Sequence, residues 1–296
     1  LLIFDYECLA QLFNVELIIQ LFRHHRSKFD RKKWNALTPW LVVSCRSSWR
    51  VEIIIQEFLP MKNRTIIVTG GAGGLGSAVV ERILRTGAHV AVPCFNQQEC
   101  EQFELGKRDG VHTQVDVDLT DEEQTQSFFD WTVEEIGPLW GSVHIAGGFG
   151  MGPIEKAGKE LLMEQLNLNT ITCYNSCRAA IQRMRANGMD GGRIVNIAAR
   201  PALEPRQGAN MTAYTASKAA VAALTEALAE EVVSENILIN AVAPSTIDTE
   251  ANRKGMPKAD FSNWVKPAHI AEQINHLVSP RNKVTRGGII PVYGKA

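Results

Sequence analysis

From residue 61 onward the hydrophobic positions switch between two periods. Short apolar runs rich in β-branched residues predict buried strands over Thr65–Thr69, His89–Val92, Val111–Val115, Ser142–Ala146, Ile194–Ala198, Leu238–Val242 and Gly288–Pro291. Between them, stretches with apolar residues three and four apart predict helices over Leu75–Thr86, Gln97–Leu105, Asp121–Ile136, Lys159–Ala186, Thr212–Val233 and Ala268–Val278. Continuous apolar strands alternating with helices imply a parallel sheet covered on both faces. The expected fold is a single α/β domain, a doubly wound Rossmann-type parallel sheet of about seven strands.

Residues 1–60 read differently, without clear strand or turn grammar. All 23 glycines lie at or after Gly70, and the segment carries three of the six tryptophans. An apolar stretch from Leu1 to Phe22 is interrupted by Asp5, Glu7 and Glu16 and followed by a basic cluster, Arg23 to Lys33. That order is the reverse of a secretory signal. Three readings stand: an extension upstream of a native start at Met61, an accessory segment, or a membrane-surface anchor.

Composition narrows the class. Apolar residues make up 45% and charged residues 21%, and Lys+Arg 31 against Asp+Glu 32 leaves a net charge of −1. Nucleic acid is therefore not expected as a partner, nor is a membrane-spanning role, since no apolar run approaches the ~18 residues a spanning helix needs. The six cysteines, Cys8, Cys45, Cys94, Cys100, Cys173 and Cys177, form no C-x-x-C pair and read as reduced thiols of a cytoplasmic protein. Histidines are scattered without ligand spacing, so no metal is expected.

Candidate chemistry lies in two places. Thr69, at the end of the first strand of the domain, runs into Gly70-Gly71-Ala72-Gly73-Gly74-Leu75-Gly76 and then a helix. A glycine-rich strand-to-helix turn lets backbone approach a pyrophosphate, with the helix N-terminus supplying free N–H groups. The second strand ends in Pro93-Cys94-Phe95-Asn96, with no acid to bind a ribose 2′-hydroxyl and no base to bind a 2′-phosphate. The cofactor is NADP(H) or NAD(H), with a slight preference for NADP(H). Second, Tyr214 and Lys218 stand four apart at the start of an alanine-rich helix. They project from one face, where an ammonium is expected to lower the phenol pKa toward a useful range.

These motifs, in this order, resemble the short-chain dehydrogenase/reductase family, classical type and similar to 3-oxoacyl carrier-protein reductases, over residues 61–296. The family's T-G-x-x-x-G-x-G matches Thr69, Gly70, Gly74 and Gly76, and its Y-x-x-x-K matches Tyr214 and Lys218. Asp118-Leu119 matches the turn that faces adenine. Ala146-Gly147 keeps the core of N-N-A-G, here preceded by His144-Ile145. Asn240–Thr249, with Pro244, Thr246 and Ile247, matches the segment beside the nicotinamide. The resemblance implies hydride exchange between a nicotinamide and a small-molecule carbonyl or secondary alcohol. Tyr214 would be the acid–base, Lys218 would tune it and hold the ribose, and Asn169 (alternatively Asn167) would anchor a relay water. It also implies a homo-dimer or homo-tetramer, and a substrate pocket completed by Pro244–Met256 and Phe149–Gly158.

One departure matters. The family places a substrate-orienting serine where this chain has Ala199, and Ala199 stands fifteen residues before Tyr214 instead of thirteen. A longer loop leaves room for Thr212 or another donor to fill the gap. The alternative is a nucleotide-binding sensor or scaffold with little or no turnover.

Overall fold

The computed structural model describes residues 60–186 and 191–295, and the backbone of two strands in the N-terminal segment. The chain divides into two units, Leu1–Phe58 and Leu59–Ala296. In the first, β1 (Leu41–Cys45) pairs antiparallel with β2 (Val51–Ile55). Sequence reading missed this hairpin, whose two short apolar runs are broken by Ser44 and Glu52 and are joined by no Gly, Asn or Pro turn signal. The three readings of residues 1–60 otherwise fall outside the described residues.

The second unit is built on seven parallel strands: β3 (Thr65–Thr69), β4 (His89–Pro93), β5 (Val111–Gln114), β6 (Leu139–His144), β7 (Gly192–Ile197), β8 (Ile237–Pro244) and β9 (Ile289–Val292). Their order is β5-β4-β3-β6-β7-β8-β9, the doubly wound arrangement expected. Along β3 the side chains alternate between two cores. Ile66 and Val68 pack on α1 (Gly74–Leu84) and α9 (Pro267–Val278) through Val79, Val80, Ile83, Ile270 and Ile274. Ile67 faces the other way, toward α3 (Glu122–Glu135), α5 (Thr172–Ala186) and α7 (Thr212–Glu231), through Phe128, Phe129, Ile181 and Val221. Each fully buried Ile, Val or Phe side chain contributes roughly 1.5–3 kcal/mol by leaving water.

Strand order reverses between β3 and β6. Chain leaving these adjacent strands departs in opposite directions, which opens a crevice at their carboxyl ends. Both the glycine turn and Ala146-Gly147 lie there.

The long helix predicted over residues 159–186 is unbroken but changes its winding partway. It runs as α4 (Lys159–Gln165), a π-helical turn (Leu166–Ile171) and then α5. The π turn inserts an extra residue, which rotates Asn169 inward.

Candidate active site

At the crevice lies a cleft of about 690 Å³, lined by Gly70, Gly74, Leu75, Gly76, Asp118, Leu119, Ala146 and Gly147 among others. Its floor is backbone, and the glycines are required sterically. Gly70 has φ +65°, and a Cβ there would lie 2.7 Å from the Ala146 nitrogen. A Cβ on Gly76 would overlap the Gly70 carbonyl oxygen, and one on Gly147 would fall 2.5 Å from Asn169 Oδ1. Thr69 joins the two loops by accepting the Ala146 N–H on Oγ1 (3.3 Å). The α1 N-terminus has Gly73 as its cap and no side-chain hydrogen bond to its first-turn N–H groups, which suits it to an anion. A dinucleotide therefore fits the residues present.

Around this floor the structure holds the other residues singled out in the sequence as follows. Asp118 accepts from the Thr120 N–H (2.8 Å) and hydroxyl (2.7 Å), which holds the Asp118–Thr120 turn against the cleft. Pro244 ends β8. Beyond it, Thr246 accepts the Val265 N–H (3.0 Å) and Ile247 accepts from Asn252 Nδ2 (2.8 Å). These bonds carry Thr249 over the glycine turn, its methyl 3.0 Å from where a Gly74 Cβ would stand.

The strand-end reading missed one carboxylate. Glu99, in the first turn of α2 (Gln97–Gln102), folds back so that Oε2 accepts the Phe95 N–H (2.6 Å), and it lines the cleft. Its sequence signal was the Asn96-x-x-Glu99 capping pattern, with Asn96 accepting the Glu99 N–H (2.9 Å).

At the other end are the polar side chains. Asn169 is buried and clamps two elements: Nδ2 donates to the Gly148 carbonyl (3.0 Å) and Ser217 Oγ (3.1 Å), and Oδ1 accepts the Gly148 N–H (3.1 Å). Asn167, the alternative, is exposed on the cleft wall. Lys218 is buried, donates from Nζ to the Ile197 carbonyl (2.8 Å), and lies 3.5 Å from where a Gly147 Cβ would stand. Tyr214 is half-buried, with the Phe149 ring edge-on at 5.0 Å between centroids.

Electrostatics here differ from the sequence expectation. Burial pushes the Tyr214 phenol up to about 12 and the Lys218 ammonium down to about 8. Desolvation by burial, not a neighbouring ammonium, sets the direction of the phenol's shift. Thr212 does not replace the missing serine hydroxyl. It is exposed at the first position of α7, whereas Ala199 is buried as the N-cap of α6 (Arg200–Leu203).

Sequence spacing also hid one cluster. β6 and β7 bring His144 and Asn196 against Cys173 and Cys177 of α5, four buried residues behind the cleft.

A family model, "short chain dehydrogenase", matches residues 64–259. The chain belongs to the short chain dehydrogenase family. Short-chain dehydrogenase/reductase ABA4 of Pyricularia oryzae is 31% identical over 256 residues, 80% of this chain and 93% of its own length. The 2,3-dihydroxy-2,3-dihydro-p-cumate dehydrogenase of Pseudomonas putida is 28% identical over 255 residues, covering 81% and 96%. Among solved structures, ElxO with NADP bound superposes with TM-score 0.72 at 24% identity over 78% of this chain and 97% of that one. Levodione reductase does so with TM-score 0.71 at 24% identity over 79% and 97%. Both share the fold.

Proposed function

We propose that this chain is an NAD(P)-dependent oxidoreductase that interconverts a carbonyl and a secondary alcohol. The carrying observation is that Lys218 and Asn169 converge on Gly147 just past the carboxyl end of β6, with Tyr214 one turn before Lys218 on α7 and edge-on to Phe149, next to a glycine cradle that fits a dinucleotide. A nicotinamide dinucleotide held there would supply the hydride chemistry. The protein's own residues do the rest. Backbone N–H groups of the α1 terminus hold the pyrophosphate, and the Asp118–Thr120 turn borders the adenine. Lys218 holds the nicotinamide ribose and places positive charge behind the phenol. Asn169 fixes the Gly147–Gly148 loop against α7 and anchors the relay water. With its pKa held near 12, Tyr214 keeps its proton at neutral pH, which is the state needed to protonate a carbonyl oxygen during reduction.

Either nicotinamide dinucleotide suits the cradle. The uncharged strand end favours NADP(H) slightly, and Glu99 is the group that works against a 2′-phosphate. The Phe149 ring beside Tyr214 suits an apolar carbonyl substrate. Exposed apolar residues on α4 and α5 and the turn between them, Leu162, Met163, Leu168, Ile171 and Tyr174, support a homo-dimer or homo-tetramer. The free thiols Cys94, Cys100, Cys173 and Cys177 suit the reducing cytoplasm. Among the described residues no helix is long and apolar enough to cross a membrane.

Ala199 favours a second reading, a nucleotide-binding protein with little turnover. Fluorescence titration with NADH and NADPH, followed by a panel of apolar ketones, separates the two. Binding with turnover supports the oxidoreductase, and binding without turnover on any ketone supports the sensor. Failure of both nucleotides to bind overturns both.

A further inference from the structure

Directly behind the catalytic end, four buried side chains from three elements point at one another. His144 ends β6, Asn196 lies on β7, and Cys173 and Cys177 stand one turn apart on α5. A ring nitrogen of His144 and the sulfurs of both cysteines all lie within 4.8 Å of one another. Cys177 Sγ is 3.4 Å from His144 Nδ1 and 3.4 Å from Asn196 Oδ1, and the last two atoms are 2.8 Å apart. We propose that His144, Cys173, Cys177 and Asn196 form a tetrahedral site for one structural Zn²⁺ ion.

Donor type, charge and geometry each support the assignment. Two thiolates and an imidazole are the ligand set that selects a borderline-soft dication over Mg²⁺ or Ca²⁺. Two thiolate charges cancel the ion's, so the loaded site is neutral, as burial of all four ligands requires. Bond lengths of about 2.3 Å to sulfur and 2.0–2.1 Å to nitrogen or oxygen give tetrahedral S···N and S···O edges of about 3.5 Å. Both sulfur edges around Cys177 already have nearly that length. The His144–Asn196 edge must open by about 0.5 Å to match the same bond lengths.

An outer shell is in place as well. Ser142 Oγ lies 2.7 Å from His144 Nε2 and accepts a hydrogen bond from Nε2–H once Nδ1 ligates the metal. Asn196 Nδ2 donates to Thr225 Oγ1 (2.9 Å), which aims Oδ1 at the site. Binding releases the two thiol protons to solvent, shifts the imidazole proton from Nδ1 to Nε2, and replaces the His144–Asn196 and Cys177–Asn196 hydrogen bonds with bonds to the metal. The ion would fasten β6, β7 and α5, which carry Gly147, Ala199 and the chain just after Asn169.

The test grows the full chain in medium supplemented with Zn²⁺ or Co²⁺, so that metal is present while the buried site folds. Expected results are one metal per chain by elemental mass spectrometry, and for cobalt a thiolate-to-metal charge-transfer band with tetrahedral ligand-field bands. Cys177→Ser should weaken the charge-transfer band by about half, and Cys173→Ser/Cys177→Ser should abolish it and the bound metal. Cys94→Ser/Cys100→Ser should leave both unchanged. If the double variant at 173 and 177 does not fold, His144→Asn must lose the metal in its place. A metal-free chain from both media, or bands that survive loss of Cys173 and Cys177, would overturn the assignment and leave a hydrogen-bonded core cluster.

Discussion

The two ends of the cleft are built on opposite principles. At the nucleotide end the contacts are backbone: Gly70, Gly76 and Gly147 sit where any side chain would collide with another loop. At the catalytic end the contacts are side chains taken out of water, with Lys218 and Asn169 buried and Tyr214 held above its ordinary pKa. Backbone surfaces tolerate no added atoms. Buried polar side chains tolerate exchange, at the cost of chemistry more than of fold.

Perturbing the nucleotide end should therefore have the largest effect. Gly76→Ala forces a Cβ into the Gly70 carbonyl, so affinity for both nucleotides should fall by about 100-fold or more by titration. Gly255→Ala is the control, since nothing lies within 4 Å of that Cβ.

At the catalytic end the predicted response is a gain in stability. Lys218 carries a depressed folded-state pKa, so below pH 8 folding pays to desolvate its ammonium, and that cost is relieved as pH rises from about 8 toward the unfolded value of 10.5. Lys218→Met should stabilise the fold at pH 7 by on the order of 2–3 kcal/mol in denaturant titration. The advantage over the wild type should shrink by pH 10, while turnover is lost.

Ala199→Ser sharpens the contrast, because it adds a donor without displacing anything polar. If the missing hydroxyl limits the reaction, kcat should rise by up to ~10²-fold with nucleotide affinity unchanged. The smallest effect is at the far rim: Glu99→Gln keeps the acceptor for the Phe95 N–H but removes the charge. NADPH should bind about tenfold more tightly, ~1.4 kcal/mol, and NADH equally well.

The same division explains what the sequence revealed. Strand periodicity, the glycine turn and the Tyr214–Lys218 spacing are local patterns and put each element within a few residues of its place, the largest strand offset being β6, which runs Leu139–His144 where Ser142–Ala146 was expected. Features that needed the third dimension escaped. The π turn at Leu166–Ile171 has no signature separating it from a continuous helix. The phenol's elevated pKa depends on burial that spacing does not encode. Glu99 reaches the cleft only because its helix starts at Asn96 and folds its carboxylate back. His144 lies far from Cys173 and Cys177 in sequence, so sheet order, not ligand spacing, brings them together.

The central claim is that Tyr214 delivers the proton while the cradle merely holds the nucleotide. Its most direct test is the rate of NAD(P)H oxidation with a reducible ketone, wild type against Tyr214→Phe, at saturating nucleotide. The expected result is a 10²–10⁴-fold lower kcat with an unchanged nucleotide Kd, the range for loss of a positioned general acid. Equal kcat in the two proteins would contradict the claim.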